Sequence, residues 1–235
     1  MSIYVWNQPI QNLYMWVDDS PFTPTADTLA YYPLTSATTY SDLSGNNHTL
    51  SKRSGWADPT FWTYNWVDCV SYSSYWWLEC SISFDTRAAQ FTMLAWVYID
   101  SNVSTSLYNA LFWFTNANDY YLATTGIWYK RWTGLSIWQR RWGWETIVSA
   151  DCVGWHLIGF TSNNQSCIMY RDGVQIATRT QDLRQASTVL CMPYYRTSAD
   201  GGFTGWMSNA IVETKVWTAQ DFLDFYNATK SAYQS

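Results

Sequence analysis

Glycine is scarce in this 235-residue chain, with 11 copies, and charged residues make up only 13% of it. So little charge suits strands and loops better than solvent-facing helices. The formal net charge of −5 argues against nucleic acid as a partner, because phosphate binding wants a basic surface. Histidine occurs twice and glutamate three times, as Glu79, Glu145 and Glu213. The five cysteines, at 69, 80, 152, 167 and 191, are odd in number and form no C-x-x-C pair. That spacing excludes a zinc site and a disulfide framework. The cysteines read as small buried apolar residues, with a Cys69–Cys80 bond as the exception left open. No run approaches about 18 apolar residues, so no membrane insertion is expected. The N-terminus has no basic region followed by an apolar core, so no signal peptide is visible. G-x-S-x-G, a Walker loop, H-E-x-x-H and G-x-G-x-x-G are all missing.

What is present is strand chemistry. In residues 154–180, Trp155 to Thr161 and Ser166 to Arg171 read as antiparallel strands joined by a turn at 162–165. Asp172-Gly173 then makes a two-residue turn into Val174 to Thr180, since an Asp-Gly between apolar-alternating runs supplies the positive φ of a type I′ hairpin. Such a turn sets Arg171 opposite Val174, Met169 opposite Ile176 and Cys167 opposite Thr178. Cys167, Met169, Val174 and Ile176 would then share a core face. Further strands are expected over Asp27 to Leu34, within Phe61 to Ser83, over Gln90 to Ile99, Tyr108 to Thr115 and Tyr120 to Thr125. Two or three more fall in Gly126 to Ser149, followed by Val189 to Met192 and Trp206 to Trp217. Thr218-Ala219-Gln220-Asp221 is a capping-box pattern, and Phe222, Phe225 and Tyr226 recur at helical spacing. One closing helix is expected from about Ala219 to Lys230. A leader, 1–24, carries short strands over Ile3 to Trp6 and Leu13 to Val17 around Asn7-Gln8-Pro9, ahead of a Pro-rich joint. The body, 25–235, is one domain, a size that sandwiches often reach.

Several of these segments, in this order, resemble the laminin G-like branch of the concanavalin A-like superfamily. They are Asp27 to Leu34, Asp42 to His48, Phe91 to Val97, the Trp155-His156 pair with its Asp172-Gly173 hairpin, Phe203 to Glu213 and Trp217 to Phe222. The resemblance implies an all-β, two-sheet antiparallel jelly-roll sandwich with one short C-terminal helix. It is weaker for function, since the superfamily holds lectins, adhesion modules and glycoside hydrolases. Its hydrolases carry acids at alternate positions of one strand, in an E-x-D-x-E pattern that is absent here. Glycoside hydrolysis needs two carboxyl groups in one site, and Glu79, Glu145 and Glu213 fall in different segments. His156 reads as a strand histidine and His48 as a loop residue, so no catalytic triad is expected. The chain reads as a non-enzyme.

Residues 128–144 hold six aromatics and four of the 13 basic residues. Aromatic faces stack on sugar C–H faces, and Arg bonds hydroxyls or carboxylates. Trp128, Tyr129, Trp132, Arg140, Arg141, Trp142 and Trp144 are therefore the candidate ligand contacts. The alternative is that half of these aromatics are core, with Arg–Trp stacking covering the rest. In the loop after the first strand, Asp42 and Asn46 could hold a structural Ca²⁺ through their oxygens, while Asx and Ser capping with Gly45 at a strained φ is the plainer reading. No other cofactor is expected. The expected function is recognition on a virion or cell surface, with a glycan or cell-surface polysaccharide as partner. The alternative is an assembly module of a phage tail, capsid or surface layer, with residues 1–24 reaching a neighbouring subunit or a second copy. Among the 17 tryptophans, Trp56, Trp66, Trp76, Trp77, Trp132, Trp142 and Trp144 stand where a turn or tight packing favours glycine. A UGA codon that the source reads as glycine would produce that pattern.

Overall fold

The computed structural model describes residues 22–53, 58–64, 67–72, 78–86, 90–101, 109–116, 125–130, 134–139, 152–164, 166–180, 186–193 and 203–234. At 4, 5, 8, 9, 130, 136, 138, 139 and 186 the description is of the backbone alone. The strands in chain order are β1 (Tyr4–Val5), β2 (Gln8–Pro9), β3 (Thr28–Tyr32), β4 (Ser51–Lys52), β5 (Thr60–Tyr64), β6 (Val67–Tyr72), β7 (Leu78–Asp85) and β8 (Gln90–Ile99). They continue with β9 (Asn109–Thr115), β10 (Thr125–Lys130), β11 (Gly134–Gln139), β12 (Gly154–Asn163), β13 (Ser166–Arg171), β14 (Val174–Thr180), β15 (Ala186–Met192) and β16 (Gly205–Glu213). Among the described residues a single helix, α1 (Ala219–Tyr233), follows.

Two antiparallel sheets make the sandwich. One runs β11-β10-β9-β15-β7-β4; the other runs β14-β13-β12-β8-β16-β6-β5, with β3 also paired to β16. The larger sheet is buried on both faces. On β8, Phe91, Met93, Ala95, Val97 and Ile99 point into the core between the sheets. Leu94 and Trp96, from the same strand, point into a second core under α1. Period-two alternation between two apolar environments explains why this strand reads as an almost unbroken apolar run.

The helix begins where its capping box places it. Thr218 Oγ1 accepts the Asp221 N–H, and the Asp221 carboxylate accepts the Thr218 N–H at 2.7 Å. It runs to Tyr233, one turn beyond Lys230, because Thr229 and Tyr233 still have sheet partners. Trp96 Nε1 donates to Thr229 Oγ1 at 2.9 Å, and the Trp96 and Tyr233 rings stack at 4.1 Å.

The central hairpin has positive φ at both Asp172 (53°) and Gly173 (77°), as the turn demands. Its register departs from expectation. Arg171 pairs with Val174, but Tyr170 pairs with Gln175 and Met169 with Ala177, so a bulge absorbs Ile176. Cys167 and Met169 are in the core, Ile176 packs at its margin, and Val174 is 60% exposed rather than buried. Among the other expectations, β8 has the predicted ends. The strand expected at Val189 starts at Ala186, and the one expected to reach Trp217 stops at Glu213. In the leader, β1 pairs with β2, so Gln8-Pro9 is strand rather than turn. Leu13 to Val17, and residues 120–124 of the strand expected over Tyr120 to Thr125, lie outside the described residues.

All five cysteines are buried thiols, with no disulfide between them. Burial raises the Cys80 and Cys167 thiols to about 11 and that of Cys69 to about 12. Burial likewise pushes the Tyr72 and Tyr233 phenols above their ordinary value. The folded state holds these protons more tightly than the unfolded chain. Their contribution is therefore complete below about pH 9 and is lost as pH rises through the folded values. Urea midpoints are expected to fall steadily above pH 9; a midpoint level to pH 11 would contradict this.

Tyr64 pairs with Val67 across the β5–β6 hairpin.

Candidate functional site

The β10–β11 hairpin carries the first part of the aromatic segment at the edge of the smaller sheet. Ile127 and Tyr129 face the core with Leu135 and Ile137. Trp128 faces the other side, half-buried against a patch of Ala110, Trp113, Val189 and Cys191, its ring 5.9 Å from that of Trp113. Tyr129 is completely buried and so cannot meet a ligand. Adjacent strand residues point to opposite faces, so Trp128 and Tyr129 could not both have been surface contacts. Trp132, Arg140, Arg141, Trp142 and Trp144 lie outside the described residues.

The Asp42 loop is organised by hydrogen bonds. Asp42 Oδ1 accepts from the N–H groups of Tyr31 (3.0 Å) and Ser44 (2.9 Å). Its Oδ2 accepts from Ser44 Oγ and the His48 N–H, each at 2.9 Å. Asn46 Nδ2 donates to the carbonyls of Thr28 (2.8 Å) and Leu29 (3.1 Å). A carboxylate has about four acceptor positions, and four protein donors already occupy those of Asp42. The donor set does not fit Ca²⁺, which would have to displace them; Asp42 instead ties the loop to β3. Gly45, at φ +89°, makes the bend between. Among the described residues no three His, Cys, Asp or Glu side chains gather as a metal ion would require.

Glu213, Glu79 and His156 have structural partners. Glu213 is buried and accepts from Thr28 Oγ1 at 2.6 Å, with Lys215 Nζ at 3.4 Å, which joins β3 to the end of β16. Glu79, on the other sheet, sits 3.9 Å from Arg53. Glu145 lies outside the described residues. His156 Nδ1 is 2.7 Å from Asp172 Oδ2, and Asp172 Oδ1 accepts the Leu157 N–H at 3.1 Å. The side chain at the hairpin turn thus reaches back to hold β12.

One surface feature escaped the sequence. Along β5, at the edge of the larger sheet, Ser36, Phe61, Trp62, Thr63 and Asp68 line an open hollow of about 350 Å³. Trp62 is 62% exposed, while Phe61 packs on Tyr40 at 5.5 Å. Asp68 Oδ2 accepts from Ser36 N (3.0 Å) and Ser36 Oγ (2.6 Å). The run Phe61-Trp62-Thr63-Tyr64 has aromatics on both faces, so alternation alone does not mark Trp62 as the outward ring.

No protein-family model matches the chain, and no curated protein matches it in sequence. Solved structures do match. Domain 4 of AbnA, a GH43 extracellular arabinanase from Geobacillus stearothermophilus in complex with arabinotriose, superposes with a TM-score of 0.69 at 15% identity, over 85% of this chain and 98% of that one. A botulinum neurotoxin type C structure, described as entering cells through two ganglioside molecules, gives 0.65 at 14% identity, over 86% and 51%. Trypanosoma rangeli sialidase in complex with sialic acid gives 0.66 at 11% identity, over 90% and 34%. The chain thus spans nearly all of the arabinanase domain, but about half of the toxin chain and a third of the sialidase. What it shares with all three, at these identities, is the β-sandwich fold.

Proposed function

We propose that this chain is a non-catalytic glycan-recognition module of the laminin G-like kind, displayed on a virion or cell surface. The observation that carries the reading is its likeness to nearly the whole of a domain solved with arabinotriose, at a TM-score of 0.69. The ganglioside and sialic acid named for the toxin and the sialidase point to the same broad ligand class. A rigid double layer that displays aromatic side chains at its edges suits sugar rings, which offer apolar C–H faces to stack on and hydroxyls to bond. Trp128, Trp132, Arg140, Arg141, Trp142 and Trp144 are the proposed contacts on the 128–144 segment. The dispersal of Glu79 and Glu213 onto different sheets favours binding over hydrolysis, which needs two carboxyl groups in one site. A glycan array probed with the purified protein is expected to give saturable binding to at least one polysaccharide. Silence across the array would overturn the reading.

One observation favours a second reading, that of an assembly module. Among the described residues β1 and β2 pair with each other and join neither sheet of the sandwich, and a lone hairpin is unstable by itself. If that leader docks on a neighbouring subunit, light scattering will find a defined oligomer that dissociates when residues 1–24 are deleted. A monomer in both cases would exclude it.

A further inference from the structure

We infer that β5 is the interface for a second copy of this chain: two β5 edges pair antiparallel about a twofold axis at Trp62 and join the larger sheets of two sandwiches. The inference goes beyond glycan recognition, and it needs no contact from the leader.

Among the described residues the larger sheet ends in β14 on one side and β5 on the other. The two edges are guarded differently. β14 carries the bulge at Ile176 and the exposed Arg179, two devices that discourage a further strand. β5 carries neither. Its residues, Thr60-Phe61-Trp62-Thr63-Tyr64, all favour strands, and they pair with β6 in unbroken register. None of them is charged, a proline or a glycine. Cys69 Sγ donates to the Trp62 carbonyl at 3.3 Å, so that carbonyl points toward β6. Backbone groups alternate in direction along a strand, so the N–H and C=O of Phe61 and Thr63 point out of the sheet edge. Such an edge is a template for one more strand.

The chemistry of the strand selects its own copy. Centred on Trp62, an antiparallel pair sets Phe61 opposite the partner's Thr63, and Thr63 opposite the partner's Phe61, with backbone hydrogen bonds exchanged at both places. Trp62 then meets the partner's Trp62 in a non-hydrogen-bonded pair, where Cα atoms lie about 4.5 Å apart and side chains are close. Aromatic pairs at such positions stabilise a sheet, and no charge on β5 meets a like charge. The pairing also accounts for Trp62 itself, the most exposed large apolar side chain among the described residues at 62%. On the opposite face, the open hollow beside Ser36, Thr63 and Asp68 leaves room for the partner's Phe61. A twofold contact uses one surface twice and so closes at two copies. So short a strand buries less than the roughly 800 Å² per partner of a stable complex, which makes this dimer weak and concentration-dependent.

The test is sedimentation velocity from about 10 μM to about 1 mM, the range in which so small an interface dissociates. It compares the wild type, Trp62→Glu, Trp62→Lys, an equal mixture of those two variants, and the chain lacking residues 1–24. The wild type and the shortened chain are expected to pass from monomer to dimer as concentration rises. Trp62→Glu and Trp62→Lys should each stay monomeric, since like charges then meet at the axis. Their mixture should dimerise again, with Glu facing Lys. Because Trp62 is exposed, both variants are expected to keep the wild-type melting temperature. A wild type monomeric throughout, dimers of either variant alone, or a monomeric mixture would overturn the pairing. A dimer lost with residues 1–24 would overturn it in favour of the leader. All of these readouts are independent of the glycan array.

Discussion

Gly159→Ala is expected to destabilise the protein by about 3 kcal/mol, the upper part of the usual range for overpacking a core. The residue sits mid-strand on β12, where its φ is ordinary, so the cost is steric and not conformational. A Cβ there would lie 2.7 Å from Leu94 Cβ, 2.7 Å from the Met93 carbonyl oxygen and 2.7 Å from Phe222 Cε1. The first two belong to the neighbouring strand's backbone and first side-chain atom, which no rotamer change can move away. The third belongs to α1, whose Phe222 also stacks on Tyr170 at 4.0 Å and meets Trp217 edge-on at 5.4 Å. Relief must therefore come from spreading β12 from β8 as well as lifting the helix, which disturbs the sheet and opens the second core. Gly45→Ala is the control: φ is +89° and nothing lies within 4 Å of the new methyl, so strain alone remains, about 1 kcal/mol. Chemical denaturation of both variants, with near-ultraviolet circular dichroism to follow Trp96 and Trp217, checks the difference. Equal losses at the two sites would refute the packing argument.

Asn209→Leu should cost a similar amount, about 3 kcal/mol, for a different reason. Asn209 stands in a bulge of β16 at φ +49°, a conformation Asn tolerates better than Leu. Its backbone N–H donates to the Pro33 carbonyl at 3.1 Å. Its side chain is the hub of a buried polar cluster: Oδ1 accepts from Tyr31 Oη at 2.8 Å and Nδ2 donates to Tyr233 Oη at 2.6 Å. Tyr233 in turn donates to Ser208 Oγ at 3.0 Å. Leucine fills the same space, so little volume is lost. It removes both bonds, however, and leaves the Tyr31 hydroxyl buried without its acceptor, which carries the full desolvation penalty. Asn209→Leu in a Tyr31→Phe background should lose distinctly less than in the native background. Strict additivity in that double-mutant cycle would show that the two groups are not coupled.

Local chemistry was legible in the sequence wherever one residue type has one strong reason to be where it is. Asp172-Gly173, the Thr218–Asp221 capping box, the Asp42 loop and the whole of β8 fall into this class. What could not be read were events that add a residue without marking it. The bulge at Ile176 shifted every later pair of β14 by one residue, and the bulge at Asn209 was hidden inside an apolar strand. The candidate site was less legible than the fold. Composition drew attention to residues 128–144, yet period-two alternation already required Trp128 and Tyr129 to face opposite ways, and Tyr129 went to the core. Trp62 stayed hidden because its sheet is covered on both faces. An aromatic on either side of β5 could have been core, and only the position of that strand at the sheet edge exposes it.

The account stands most directly on whether the intact protein holds a polysaccharide without cleaving it. Incubation with soluble arabinan, followed by both sedimentation of the complex and assay of new reducing ends, measures the two together. Saturable co-sedimentation with no reducing ends above the protein-free blank is the predicted result. Reducing ends that accumulate in proportion to enzyme and time, or no saturable binding to arabinan or any other polymer tried, would contradict it.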